Sequence, residues 1–146
     1  VRFKDSIIPT KDMKQHSGTI ARVLKEEYIA HFGEPHRPDD FLVIYVERST
    51  NLIPLVLAGL EAGFCLAPIS LDWSLDRRRE VLTTIGNALY VTDSDSIPGK
   101  FCLQFSSVLK RAGSLEKNGR RPLSMNLPSD LLYATFTSGT TGVAKC

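Results

Sequence analysis

The sequence lacks a long hydrophobic run, a strong excess of charge of one sign and a closely spaced set of cysteines. Its longest apolar run, residues 52–60, is far shorter than the roughly 20 residues that a membrane span needs. The net charge is only +2, which argues against a nucleic-acid partner or a polybasic membrane contact. These absences exclude a membrane-spanning protein and a strongly basic binding protein from the expected classes.

The three cysteines are odd in number and widely spaced, so neither a disulfide framework nor a zinc site is expected. This usage indicates a reducing, intracellular setting, and we expect the cytoplasm. His31 and His36 flank the sequence FGEP, but no third ligand lies near them. We interpret both histidines as part of a solvated loop and predict no metal site.

What is present is an ordinary globular composition. The chain has 146 residues, of which 42% are hydrophobic and 23% charged, so it is long enough to bury one core. The first residue is Val1 and no basic segment followed by an apolar run comes after it, so targeting cannot be read from this sequence.

Helix and strand patterns alternate along most of the chain. Apolar residues at helical spacing in SGTIARVLKEEYIAHFG predict a helix from a Ser17 cap to Gly33. Short apolar runs rich in β-formers, namely FLVIYV, FCLAPIS and ALYVTD, predict strands that are buried on both faces. The segments NLIPLVLAGLEAG and SLDRRREVLTTIG lie between these runs and predict two further helices. Together the elements predict an α/β fold with a mostly parallel sheet.

Two of these helices carry specific expectations. Pro54 suits only a first helical turn, so the helix begins near Asn51, or begins at Ser49 and is distorted at Pro54. Gly63 is the expected end of that helix. The arginines at 77–79 are interpreted as a solvated face of the next helix. The positions of that helix expected to face inward are Leu75, Val81, Leu82 and Ile85.

The chain is predicted to form part of one domain in three sections. Residues 17–110 make the α/β unit, in which residues 102–111 form a strand and a helical turn. Residues 111–129 are rich in glycine, proline and serine without periodicity and predict a linker. Residues 130–146 predict a strand that runs directly into a loop of small polar residues.

That last loop, FTSGTTGVAK, has the composition of a phosphate-binding site. Its glycines let backbone N–H groups approach an anion, its hydroxyls donate to phosphate oxygens, and its lysine supplies a mobile charge. A Walker loop is a poor fit because Lys145 follows Ala144 and because Cys146 replaces Ser or Thr. A plain polar turn after a strand remains the alternative. The candidate nucleotide-binding residues are Thr137, Ser138, Gly139, Thr140, Thr141, Gly142 and Lys145.

The same residues resemble the signature loop of the adenylate-forming, or AMP-binding, superfamily, which includes AMP-forming acyl-CoA synthetases, luciferases and amino-acid adenylation domains. The family pattern has proline and glycine where this chain has Ala144 and Cys146. The upstream sequence is similar to the family in order as well, although Ser70 replaces a usual aspartate. The upstream residues in register are Arg48, Ser49, Ala62, Gly63, Pro68, Arg77 or Arg78, Leu82, Thr92 and Asp93.

The resemblance implies a ligase that joins a carboxylic or amino acid to AMP and then passes the acyl group to a thiol of CoA or of a carrier-protein phosphopantetheine. It implies ATP and Mg²⁺ as cofactors, with residues 137–145 on the β- and γ-phosphates. The replacement of proline by Ala144 is expected to loosen the approach of Lys145. The family's adenine, ribose and magnesium ligands and its catalytic lysine lie after this loop. The chain is therefore expected to be a fragment of the large N-terminal domain, with no catalytic residue or metal ligand of its own.

Two rival interpretations stay open: a non-catalytic nucleotide-binding or interaction module of the same family, and an unrelated α/β domain with a fortuitous loop. The gene sequence beyond residue 146 distinguishes the first rival from the enzyme fragment. An acidic-aromatic motif and a distant lysine in frame would favour the enzyme.

The isolated 146-residue chain is predicted to bind Mg-ATP at best in the millimolar range, about −4 kcal/mol, because it offers contacts to phosphate alone. Isothermal titration with Mg-ATP and a hydroxamate assay with a panel of acids test this. Micromolar binding or acid-dependent turnover by the 146-residue chain would contradict it.

Overall fold

The fold alternates strands and helices along the chain. The computed structural model describes residues 2–3, 6–7, 9–85, 88–93, 97–115, 129–138 and 144–145. Within these residues the elements are β1 (Arg2–Phe3), β2 (Ser6–Ile7), α1 (Thr10–Phe32), β3 (Phe41–Tyr45), α2 (Leu52–Ala62), β4 (Cys65–Pro68), α3 (Leu75–Thr84), β5 (Ala88–Thr92), β6 (Cys102–Gln104), α4 (Phe105–Leu115), β7 (Thr137–Ser138) and β8 (Ala144–Lys145). The predicted α/β class is confirmed. None of the described helices is both long and apolar enough to cross a membrane.

The centre of the fold is a parallel sheet with the strand order β4-β3-β5-β6. Leu42 of β3 lies opposite Leu66 of β4 and Leu89 of β5, which fixes the register across the three strands. All three leucines are almost fully buried. Continuous apolar strands therefore occupy the sheet interior, as their composition predicts.

The two faces of the sheet carry separate cores. Leu42 and Ile44 face a cluster built with α1, α2 and α4, whereas Val43 and Tyr45 face a cluster that includes residues of α3. The chain moves from β3 to β4 on one side and then crosses to β5 on the other. Because such crossovers are right-handed, the change of direction places α2 and α3 on opposite faces.

Helix α1 begins earlier than the sequence predicts. Its first residue is Thr10 and Pro9 occupies the cap position, so the predicted Ser17 cap is wrong. Ser17 is buried in the helix, where its hydroxyl lies 3.1 Å from both the Lys14 carbonyl and Glu61 Oε1. A serine that finds partners inside a helix and on its neighbour gives no signal of a helix start.

Helices α1 and α2 end at the glycines that the sequence predicts. Gly33 and Gly63 follow the two helices with φ values of 79° and 92°, in the left-handed region that glycine adopts without strain. Pro54 lies in the first turn of α2, which resolves the two alternatives in favour of a start near Asn51. In the same helix, Gly59 lies directly above the sheet.

Helix α3 buries only part of the face that the sequence predicts to point inward. Ser74 caps it by accepting a hydrogen bond of 3.2 Å from the Arg77 N–H. Val81 and Ile85 are buried as predicted, but Leu75 is 62% exposed and that prediction is wrong. Leu75 is the first residue of the helix.

Each of the two histidine rings stacks on a phenylalanine. The His31 ring stacks on Phe101 with centroids 3.8 Å apart, and the His36 ring stacks on Phe64 at 4.0 Å. Burial lowers the pKa of His36 below its ordinary value. The predicted solvated loop is therefore wrong in part: His31 is exposed but belongs to α1, and His36 lies in a loop but is only partly exposed.

The second half of the chain follows the predicted order in part. Strand β6 and helix α4 correspond to the predicted strand and helical turn, although the helix is longer. Residues 111–115, predicted as the start of a linker, belong to α4. Residues 116–128 of that predicted linker lie outside the described part of the chain.

Gly59→Ala is predicted to lower the free energy of unfolding by about 1–2 kcal/mol. An added Cβ would lie 2.5 Å from Leu66 Cδ2 and 2.7 Å from Leu42 Cδ2, and both leucines are held in the core. Gly113→Ala in α4 is the matched control, since no atom lies within 4 Å of its added Cβ. Its helix propensity is expected to raise stability by about 0.5–1 kcal/mol. Urea unfolding measures both, and equal changes would contradict the packing argument.

Candidate functional site

A cavity opens at the carboxyl edge of the parallel sheet. It has a volume of about 610 Å³ and is bounded by the residues that follow β3 and β4, together with Tyr133. Glu47, Arg48 and Asp72 contribute charge to its wall, and Trp73 contributes an aromatic surface. A cleft of this size and mixed polarity, at the carboxyl ends of parallel strands, is typical of small-molecule sites in α/β proteins.

Backbone hydrogen bonds fix this edge at the point where the strand order changes direction. The Glu47 N–H after β3 donates to Asp93 Oδ2 after β5 over 3.0 Å. On the other side of β3, the Asp72 N–H donates to Ser70 Oγ over 3.2 Å. The side chains of Asp93 and Ser70 therefore act here as local acceptors that shape the loops.

The segment leading to the loop runs beside β4. Tyr133 forms a parallel bridge with Leu66, whose N–H donates to the Leu132 carbonyl and whose carbonyl accepts from the Ala134 N–H, at 3.0 and 2.8 Å. The predicted strand over residues 130–136 is thus reduced to one bridge. Ala134 and Phe136 pack on the α3 side of the sheet, which anchors the chain just before Thr137.

The two ends of the Ser/Thr/Gly loop meet as an antiparallel pair. Strand β7 carries Thr137 and Ser138, strand β8 carries Ala144 and Lys145, and Thr137 lies opposite Lys145. Helix α3 lies beside β8. The backbone thus brings three of the candidate nucleotide-binding residues together. The other candidates, Gly139, Thr140, Thr141 and Gly142, lie outside the described residues.

The three arginines of α3 do not all face solvent, so the predicted solvated face is wrong in part. Arg78 turns inward, donates from Nη1 to the Tyr45 hydroxyl and places its guanidinium 5.8 Å from the centre of that ring. Arg77 is paired with Glu80 at 3.1 Å and has a side chain that is only 21% exposed. Arg79 alone matches the expectation, with a side chain that is 79% exposed.

Sequence reasoning missed the pairing of Tyr45 with Arg78. Tyr45 ends β3 and alternates with Ile44, so its position in FLVIYV assigns it to the opposite face from Ile44. The alternation could have marked Tyr45 as a neighbour of the next crossover helix. Nothing in the run of three arginines, however, distinguishes the one that faces the sheet.

A family model described as AMP-binding enzyme matches residues 11–146. Among similar proteins, zwittermicin A synthase ZmaJ of Bacillus cereus is 29% identical over 99% of this chain and 26% of its own length. Tyrocidine synthase 2 of Brevibacillus parabrevis is 28% identical over 98% of this chain and 4% of its own length. The chain thus spans about a quarter or less of these two relatives.

The fold also matches a solved structure, the N-terminal subdomain of NpsA from Klebsiella oxytoca in complex with 3-hydroxyanthranilyl-AMSN. The TM-score is 0.77 at 20% identity, over 98% of this chain and 34% of that chain. At this identity the likeness supports the architecture, including the parallel sheet and its carboxyl edge, and nothing finer.

Asp93→Ala is predicted to lower the free energy of unfolding by about 1 kcal/mol, because the Glu47 N–H loses its acceptor between β3 and β5. Asp93→Asn is the matched control, since its amide oxygen keeps the acceptor. Denaturant unfolding of both variants measures the difference. Equal losses would assign the effect to charge instead of to the hydrogen bond.

Proposed function

The chain belongs to the AMP-binding enzyme family, and we propose that it supplies the phosphate-binding part of a ligase that activates a carboxylic or amino acid with ATP. The acid would become an acyl-adenylate, and a thiol of CoA or of a carrier-protein phosphopantetheine would then take the acyl group. Since the chain spans a small part of the relatives it matches, the activity proposed is that of a longer protein containing this segment.

The observation that supports this proposal is the pairing of β7 with β8. Thr137 and Lys145 lie opposite each other at the two ends of the loop, so the backbone brings a hydroxyl residue and the lysine of the motif next to each other. The preceding segment is fixed by its bridge to β4. A preorganised set of donors at the edge of a rigid sheet suits charge that develops on a leaving group.

In the proposed first step, a carboxylate oxygen of the acid attacks the α-phosphorus of ATP. A bond forms between these two atoms, the bond from the α-phosphorus to its bridging oxygen breaks, and pyrophosphate leaves with the electron pair. Thr137, Ser138, Gly139, Thr140, Thr141, Gly142 and Lys145 would bind the β- and γ-phosphates. The Lys145 ammonium would neutralise the charge that accumulates on pyrophosphate, and opening of the glycine-containing loop would release it.

In the proposed second step, the sulfur of the thiol attacks the acyl carbon, and AMP leaves. The solved structure titled NpsA-ThdA is an artificially fused adenylation-PCP di-domain, which supports a carrier-protein thiol as one acceptor class for this family. The chain's own residues give no assignment to this step.

Magnesium is proposed for the longer protein on the family's chemistry. Among the described residues, no group of three or more His, Cys, Asp or Glu side chains could hold a metal ion. We therefore assign no magnesium ligand to this segment. An intracellular, cytoplasmic setting is proposed from the cysteines of the sequence, which are odd in number and widely spaced.

Acid-dependent exchange of labelled pyrophosphate into ATP by the full-length protein tests the proposed function. Exchange that requires an acid from a panel of carboxylic and amino acids is the expected result. ATP binding without exchange, for every acid in the panel, would instead support the non-catalytic module.

Lys145→Ala in the full-length protein is predicted to slow adenylation by about 10²–10³-fold, because a preorganised charged donor to the leaving group is lost. Thioester formation from preformed acyl-adenylate, which releases no pyrophosphate, is expected to change little. Lys110→Ala, at an exposed position of α4, is the matched control and leaves both reactions unchanged. Equal losses in both half-reactions would remove Lys145 from the proposed role.

A further inference from the structure

The arginine that contacts Tyr45 occupies an unusual position for a helix-surface cation. Arg78 is partly buried against the sheet, and its Nη1 donates to the Tyr45 hydroxyl. Tyr45 itself is only 8% exposed, at the carboxyl end of the central strand β3. The contact therefore joins α3 directly to the strand edge at which the candidate site opens.

The guanidinium of Arg78 keeps one donor unused. Its Nε is buried and has no hydrogen-bond partner in the structure. Buried polar groups are seldom left without a hydrogen-bond partner, so this donor calls for an explanation. The fork of an arginine can hold one partner through Nη1 while Nε–H serves a second, which a lysine cannot reproduce.

The helix that carries Arg78 is also the helix that lies beside β8. Strand β8 holds Lys145 in register with Thr137 of β7. A shift of α3 relative to β3 would therefore bear on the backbone that carries Lys145. Tyr45 and Arg78 connect α3 to β3 through a polar contact, beside the apolar packing of Val81.

We propose that Arg78 is a positioning residue for the phosphate loop: held by the Tyr45 hydroxyl, it fixes α3 against β3 and thereby fixes the Lys145 strand that rests on α3. This inference depends on the proposed function for its effect on catalysis. Arg78 acts on the leaving group through Lys145 and touches no reacting atom.

The neighbouring arginine provides a control of identical chemistry. Arg79 is on the same helix, is 79% exposed at its side chain and lies 3.9 Å from Asp76. Arg78→Lys and Arg79→Lys each preserve the charge of α3 and remove one guanidinium fork. Any difference between the two variants therefore reports the contacts of Arg78 and not the net charge of the helix.

The kinetic test uses the full-length protein. Arg78→Lys is expected to slow acid-dependent pyrophosphate exchange on the order of ten- to a hundredfold and to leave thioester formation from preformed adenylate unchanged, whereas Arg79→Lys changes neither. In a double variant with Lys145→Ala, Arg78→Lys should slow pyrophosphate exchange by less than a further twofold, because both substitutions act through the Lys145 charge. The proposal would be overturned if the rate losses of the two substitutions multiplied in the double variant. It would also be overturned if Arg78→Lys slowed both half-reactions equally while its melting temperature stayed at the wild-type value.

A second measurement separates this inference from the proposed function. Amide hydrogen exchange of the peptide covering residues 137–145, in the full-length protein without substrates, is expected to be faster in Arg78→Lys than in wild type or Arg79→Lys. Tyr45→Phe, which removes only the hydroxyl acceptor, should show the same acceleration. Unchanged exchange in both variants would refute the positioning role even if the wild-type enzyme is active. Accelerated exchange would support it even if no acid substrate is found.

Discussion

The structure depends on the burial of β3 from every side. This strand is hydrogen-bonded to β4 on one edge and to β5 on the other, and each of its faces is covered by a separate apolar cluster. With no solvent-facing side, its register can slip only by moving every core side chain to the wrong face. The carboxyl ends of β3, β4 and β5 are thereby held at one level, and the segments after β3 and β4 that line the cavity begin from that level.

Sequence reasoning predicts the features that hydrophobic periodicity and glycine determine locally. The apolar runs identified β3, β4 and β5, and Gly33 and Gly63 identified two helix ends, because their causes lie within a few residues. The failures have tertiary causes. Ser17 resembles a cap but contacts Glu61 of α2, and His31 resembles a loop residue but stacks on Phe101. Neither partner is visible from local pattern.

The candidate site likewise has features that are local in the sequence and features that depend on the tertiary fold. Glycines, hydroxyls and one lysine within a few residues predict a phosphate loop from composition alone, and this assignment stays a prediction. The surroundings of the loop are determined by topology. The same topology brings α3 next to β8 and brings Arg78 to Tyr45, from segments that are far apart in sequence. The run of three arginines looks uniform in the sequence, and the packing of α3 on the sheet makes its members different.

The packing of β8 against β7 and α3 bears on the replacement of the family's proline by Ala144. Proline at that position would restrict the backbone before Lys145 and would have no N–H to donate. Ala144 instead lies in β8 opposite Ser138, where a residue with an N–H can take part in the ladder with β7. Strand pairing and the support of α3 are thus two restraints on Lys145 that do not require a proline. The departure from the family pattern is therefore compatible with a restrained backbone at Lys145.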